Sequence, residues 1–130
     1  MTTIVGSCAA VCLWDADLNV GGVNHYLLPR KPYGSQPSGR YADSAFKLLL
    51  DALIGFGCRP DSLRAWLVGG ACLIEAFRVR GEHLGEQNVK IGVRLLEHAR
   101  IQVIGQDTGG ARGRKVIFRT DRGTAVVQAL

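Results

Sequence analysis

The sequence predicts an α+β fold in which short strands outnumber helices. Three observations carry that expectation. Glycine supplies 17 of 130 residues and falls between short apolar runs, as it does where strands are joined by sharp turns. Only two stretches, 42–54 and 85–99, space their apolar residues as an amphipathic helix does. Several neighbouring runs are joined by fewer than the dozen or so residues that a helical crossover needs, which disfavours a doubly wound α/β sheet. The length fits one domain over residues 1–130, and 47% hydrophobic with 21% charged residues is an ordinary globular balance, so disorder is not expected.

The elements follow in order. Ala9 to Trp14 is a short apolar run, Asp15 to Asn19 is rich in turn formers, and Val20 to Leu28 is apolar again, giving a hairpin or two neighbouring strands. Residues 29–40 hold three prolines with Gly34, Gly39, Ser35 and Ser38, which is a loop by composition. Its length suits a lid or binding loop as well as a connector. Ala42, Ala45, Phe46, Leu49, Leu50, Leu53 and Ile54 form one face of a helix that Gly55 and Gly57 can end. Leu63 to Val68 is a strand stopped by Gly69-Gly70. Residues 71–84 mix apolar and charged side chains and are expected as loop with some local structure. The second helix follows Gly85-Glu86-Gln87-Asn88 and runs to about Ala99, with Val89, Val93 and Leu96 on one side. Strands are expected at Ile101 to Gln106, Arg114 to Arg119 and, after the Asp121-Arg122-Gly123 turn, Thr124 to Gln128. No internal repeat or low-complexity segment is present.

The net charge of +5 arises entirely after residue 76, where ten Lys and Arg stand against five Asp and Glu; before it, six of each sign cancel. A basic face suits an acidic protein, a nucleic acid, an anionic membrane or plain solvation, and charge does not choose between them. Four cysteines at 8, 12, 58 and 72 show neither a C-x2-C pair nor a dense disulfide framework. No secretory signal pattern and no 18-residue apolar run is found, so membrane insertion is not expected and a reducing cytoplasm is.

Chemistry concentrates near the start. Cys8 directly follows a Gly6-Ser7 turn at the mouth of one apolar strand, and His25 lies in the next, 17 residues on. Paired antiparallel strands would bring the two together. A free thiol ionises near pH 8.5, and an adjacent imidazolium lowers that value and produces the nucleophilic thiolate. Alone, a strand cysteine is more commonly a small hydrophobe. Backbone N–H groups around Gly6 and Ser7 suit an oxyanion, an interaction that elsewhere is worth about 3–4 kcal/mol per donor; the alternative is an ordinary turn. Cys12, Cys58 and Cys72 read as structural. Cys8-x3-Cys12 with His25 fits no closed zinc site, so no metal is expected. His83 and His98 sit among charged neighbours and read as surface residues. Residues 107–115 carry glycines and three cations but lack the G-x-x-x-x-G-K-[ST] spacing of a phosphate loop.

Gly6-Ser7-Cys8, Asn24-His25-Tyr26-Leu27-Leu28-Pro29, Tyr41-Ala42-Asp43, Gly69-Gly70-Ala71, Gly85-Glu86-Gln87-Asn88 and Asp107-Thr108-Gly109-Gly110-Ala111-Arg112-Gly113-Arg114 together resemble the chemoreceptor glutamine deamidase family, CheD, in the family's order and over nearly the whole chain. The resemblance implies layered sheets flanked by helices, in a cysteine-hydrolase arrangement similar to bacterial toxin deamidases. It implies a protein-glutamine glutaminase in which Cys8 attacks a glutamine side-chain amide of a methyl-accepting chemotaxis receptor and His25 serves as acid and base, with no cofactor. The family's third catalytic member is a threonine six residues before the cysteine, here Thr2; Thr3 would face the other side of a strand. Thr2 follows Met1 directly, where chain ends commonly fray. On the family's pattern, residues 107–115 form a wall of the substrate cleft, and the CheC phosphatase is a further partner. Two other readings stand beside this one. A non-catalytic docking module for chemoreceptors or CheC would need neither Cys8 nor His25, and a nucleic-acid binder using residues 112–122 would have only Phe118 to stack on bases.

Overall fold

The computed structural model describes residues 1–78 and 83–130. Its elements are β1 (Thr2–Val5), β2 (Ala9–Asp15), β3 (Val20–Tyr26), α1 (Ala42–Gly55), a 3-10 turn at Pro60–Ser62, β4 (Leu63–Gly69), α2 (Glu75–Arg78), α3 (Leu84–His98), β5 (Gln102–Thr108), β6 (Arg114–Arg119) and β7 (Thr124–Ala129). They form a four-stranded sheet in the order β3-β2-β4-β5 and a three-stranded sheet in the order β1-β6-β7. Every pairing is antiparallel except β4 with β5, whose parallel alignment is made through the α3 crossover. The α+β expectation holds.

Residue alternation along β2 sets the layers. Ala9, Val11 and Leu13 pack with α1 and α3 in one core; Ala10 and Cys12 face the other way, onto Val5, Val116 and Phe118 of the small sheet. A strand covered on both faces must be apolar at successive positions, which explains the unbroken run from Ala9 to Leu13. The order of layers is therefore helices, large sheet, small sheet. Among the described residues no helix is long and apolar enough to cross a membrane.

The hairpin between β2 and β3 turns on Asp15, whose Oδ1 accepts from the Asp17 and Leu18 N–H groups at 2.8 and 3.2 Å. β3 ends at Tyr26, two residues short of expectation, because the Leu27 and Leu28 N–H groups both donate to Arg40 O and close the 29–40 loop. α1 ends with Gly57 at φ 96°, a left-handed position that glycine adopts without strain.

Val89, Val93 and Leu96 of α3 all pack on the helix-side core, as expected; the deepest residues of the helix are Gly85, Asn88, Gly92 and Leu96. Glycine at 92 permits a close approach: a Cβ there would lie 2.6 Å from the Tyr26 hydroxyl. The 71–84 stretch holds the single turn α2, and residues 79–82 of it lie outside the described residues.

β1 pairs with β6 from the far end of the sequence. Met1 extends this ladder, its amino group donating to Phe118 O at 2.9 Å and its carbonyl accepting from Phe118 N at 2.8 Å. The start of the chain is held in register with β6.

Candidate active site

Between Val5 and Ala9 the chain passes from the small sheet to the large one in only three residues, Gly6, Ser7 and Cys8. The carbonyls of all three are tied down. Gly6 O accepts from Ala71 N at 2.9 Å, Ser7 O from Asn88 Nδ2 at 2.9 Å, and Cys8 O from Gly70 N at 2.7 Å. The contacts are so close that glycine is required opposite them. Gly69 has φ 121°, and a Cβ on it would fall 2.3 Å from Cys8 O; one on Gly85 would fall 2.4 Å from Ala71 O.

Arg114 fixes the far side. Its guanidinium donates to Asp107 Oδ1 at 2.9 Å, to Gly109 O at 2.8 Å and to Gly69 O at 3.4 Å, while Cys72 N donates to Gly110 O at 2.9 Å. Three glycine-bearing segments, 69–71, 85–88 and 107–114, thus converge on the turn that presents Cys8. Residues 107–114 reach that turn through Gly69 and Cys72.

His25 pairs with Ala10 across the β2–β3 ladder. Cys8 precedes Ala10 by two residues, just outside β2, and packs against the core face to which Ala10 belongs. Cys8 and His25 thus lie near the same end of the β2–β3 hairpin.

The hydroxyl against His25 belongs to Thr3, not Thr2: Thr3 Oγ1 lies 2.7 Å from His25 Nδ1. The resemblance implied Thr2 for this place, and the contact is made by Thr3. Thr3 shares its face of β1 with Val5, which is fully buried between the sheets, and pairs with Val116 of the same core. Thr2 shares its face with Ile4, and both are exposed. Alternation allows only one of two successive threonines to turn inward, and Val5 fixes which. The sequence held this signal, but adjacent apolar residues at 4 and 5 left the parity of the strand ambiguous.

Burial, the largest influence on both groups, pushes the Cys8 thiol above its usual range, against a smaller opposing pull from its own backbone N–H, and pushes the His25 imidazole below its usual range. Both shifts favour the neutral form of their group. Cys12 is far less ionisable, pushed up to about 12 by burial. Cys58 is raised by burial and by the Asp15 carboxylate.

Beside the turn lies an apolar cavity of about 290 Å³ lined by Ser7, Ala71, Cys72, Leu73, Ile74 and Phe77, with Leu84 and His83 at its rim. His25 opens onto a second cavity of about 300 Å³ between β3 and α1. His83, expected as a surface residue, caps α3 by accepting from Glu86 N at 3.2 Å. Among the described residues no three His, Cys, Asp or Glu side chains gather as a metal-ligand set.

Stacked sheets with helices on one side, and a cysteine at a sheet-to-sheet turn with a histidine–threonine pair on its inner face, define an α+β protein with a candidate thiol nucleophile. The chain belongs to the CheD family. The family model described as CheD chemotactic sensory transduction matches residues 27–129. The chain is 47% identical over 130 residues to the probable chemoreceptor glutamine deamidase CheD 1 of Anaeromyxobacter dehalogenans (strain 2CP-C), covering all of this chain and 75% of that protein. It is 35% identical over 126 residues to the probable chemoreceptor glutamine deamidase CheD of Sulfurimonas denitrificans, covering 97% of this chain and 81% of that one. To the protein of the same description from Trichlorobacter lovleyi it is 36% identical over 127 residues, covering 98% and 78%.

Proposed function

We propose that this chain is a protein-glutamine deamidase acting on chemoreceptors, with Cys8 as nucleophile and His25 as acid and base. The observation that carries the reading is the placing of Cys8 and His25 near the same end of the β2–β3 hairpin, with Thr3 on the far ring nitrogen. When His25 Nδ1–H donates to Thr3 Oγ1, Nε2 is left as an acceptor able to take the thiol proton; the opposite tautomer is not basic at that atom. Because burial favours the neutral form of both groups, this proton moves as the sulfur attacks.

The Cys8 sulfur bonds to the amide carbon of a substrate glutamine, and the carbonyl oxygen becomes an oxyanion. His25 returns the proton to the amide nitrogen, the C–N bond breaks, and ammonia leaves a thioester. Water, deprotonated by the now neutral His25, adds to the thioester carbon. The C–S bond breaks, the thiol is restored and glutamate remains. Backbone N–H groups of the Gly6–Cys8 turn receive the oxyanion, and the apolar cavity beside Ser7 takes substrate residues flanking the glutamine.

The four free cysteines agree with a reducing cytoplasm, and the CheC phosphatase is the second partner in this reading. Incubation with a receptor cytoplasmic fragment, followed by mass spectrometry for glutamine-to-glutamate conversion, tests the proposal. Conversion by wild type and none by Cys8→Ala or His25→Ala is expected; turnover by Cys8→Ala near the wild-type rate overturns the mechanism.

A further inference from the structure

Asn88 is fully buried, five positions into α3, and its side chain bridges the two chain segments just beyond the Ala9–Tyr26 end of the β2–β3 ladder. Nδ2 donates to Ser7 O at 2.9 Å and to Leu27 O at 3.0 Å, while its backbone carbonyl accepts from the Tyr26 hydroxyl at 2.6 Å. Two acceptors on one nitrogen fix the orientation of the carboxamide, since the reversed amide would set an oxygen against both carbonyls. One nitrogen therefore joins the turn bearing Cys8 to the end of the strand bearing His25.

The bond to Ser7 O has a consequence for the next residue. In a trans peptide the C=O and the following N–H point in opposite directions, and there is no cis peptide bond among the described residues. Holding Ser7 O toward α3 turns the Cys8 N–H away from α3. The Ala71 bond to Gly6 O does the same for the Ser7 N–H. The Ser7 N–H has no acceptor among the described residues and the Cys8 N–H meets only its own sulfur, although the three neighbouring carbonyls are all engaged.

We propose that Asn88 is a positioning residue for deamidation: by locking the Ser7–Cys8 peptide plane it aims the Cys8 N–H at the oxyanion formed when Cys8 attacks. The inference rests on the deamidase reading above. Without Asn88 the plane is free to flip and presents the Ser7 carbonyl, an acceptor, where a donor is needed. Asn88 acts on the transition state and not on the thiol, so its loss separates two reactions of Cys8. Alkylation by iodoacetamide forms no oxyanion and needs no such donor.

The test measures both reactions on wild type, Asn88→Asp, Asn88→Ser and Tyr26→Phe, with a receptor cytoplasmic fragment as substrate. Asn88→Asp replaces the donating amide with an acceptor of the same shape, and Asn88→Ser covers the case in which the aspartate variant does not fold. The expected result is a fall in kcat of about 10²-fold or more with KM within about threefold and Cys8 alkylation within about twofold of wild type. Tyr26→Phe, which loosens the same helix without touching the carboxamide, should lower thermal stability and leave kcat within about twofold. Equal kcat losses in Tyr26→Phe and Asn88→Asp, or a folded Asn88 variant with wild-type kcat, overturn the inference. A measurement on wild type alone guards against variants that do not fold: the lock requires a scalar coupling across the hydrogen bond from Asn88 Nδ2 to the Ser7 carbonyl carbon, and its absence equally overturns it. Wild type that alkylates at Cys8 but converts no receptor glutamine sinks the deamidase reading instead.

Discussion

Thr3 Oγ1 stands 2.7 Å from His25 Nδ1 and joins strands that belong to different sheets. A hydroxyl, unlike a carboxylate, can donate or accept here, so it orients the ring without obliging Nδ1 to carry the proton. Thr3→Val should lower kcat on the order of 10- to 100-fold with little change in KM, because general acid–base transfer as a whole contributes about 10²–10⁴-fold. Thr2→Val, on the exposed face, should remain within about twofold. Steady-state deamidation of a receptor fragment decides the point: equal effects would show that the hydroxyl contact has no part in turnover.

Because burial raises the Cys8 thiol and lowers the His25 imidazole, Cys8 should not label rapidly at pH 6–7. Its iodoacetamide rate should climb with pH through and above the ordinary thiol range near 8.5. Cys12, pushed up to about 12, should label last. Site-resolved mass spectrometry across pH 6–10 follows this, and fast labelling of Cys8 at pH 6 would show a thiolate already formed in the free protein.

His25 also makes stability depend on pH. Its folded-state value lies below the unfolded value near 6.5, so the unfolded chain takes up the proton first as pH falls. The contribution is fully present above pH 6.5 and is lost as pH drops toward the folded value. Urea midpoints at pH 7.5, 6.5 and 5.5 should decline in wild type and decline less in His25→Gln. Parallel declines would remove His25 from the linkage.

Gly70 has φ 70°, and a Cβ there would lie 2.3 Å from Val89 and 2.6 Å from Gly85 O. Gly70→Ala combines a left-handed strain of about 1–2 kcal/mol with overpacking of about 1–3 kcal/mol, so a total loss of roughly 2–5 kcal/mol is expected. Gly39→Ala, with nothing within 4 Å, should stay within about 0.5 kcal/mol. Chemical denaturation compares the two, and a neutral Gly70→Ala would mean that the Gly69-Gly70 turn yields more than its packing suggests.

Local chemistry was legible in the sequence. Turn formers at 15–19, apolar spacing at 42–54 and glycines after β1, β4, β5 and β6 specify their elements through short-range sterics, and the expected Arg114 to Arg119 strand stands at those bounds. Cys8 and His25 were legible for the same reason, since a hairpin relates residues that are close in the chain. What depended on partners distant in sequence was not. The pairing of β1 with β6 is fixed by the packing of one sheet on the other, and that packing, through Val5 and Val116, turned Thr3 inward and left Thr2 outside. Asn88 stood in the Gly85–Asn88 motif without a role, because a polar residue on a helix carries no apolar signal. Only the tertiary structure, by bringing Ser7 O and Leu27 O to one buried amide nitrogen, decided what it holds.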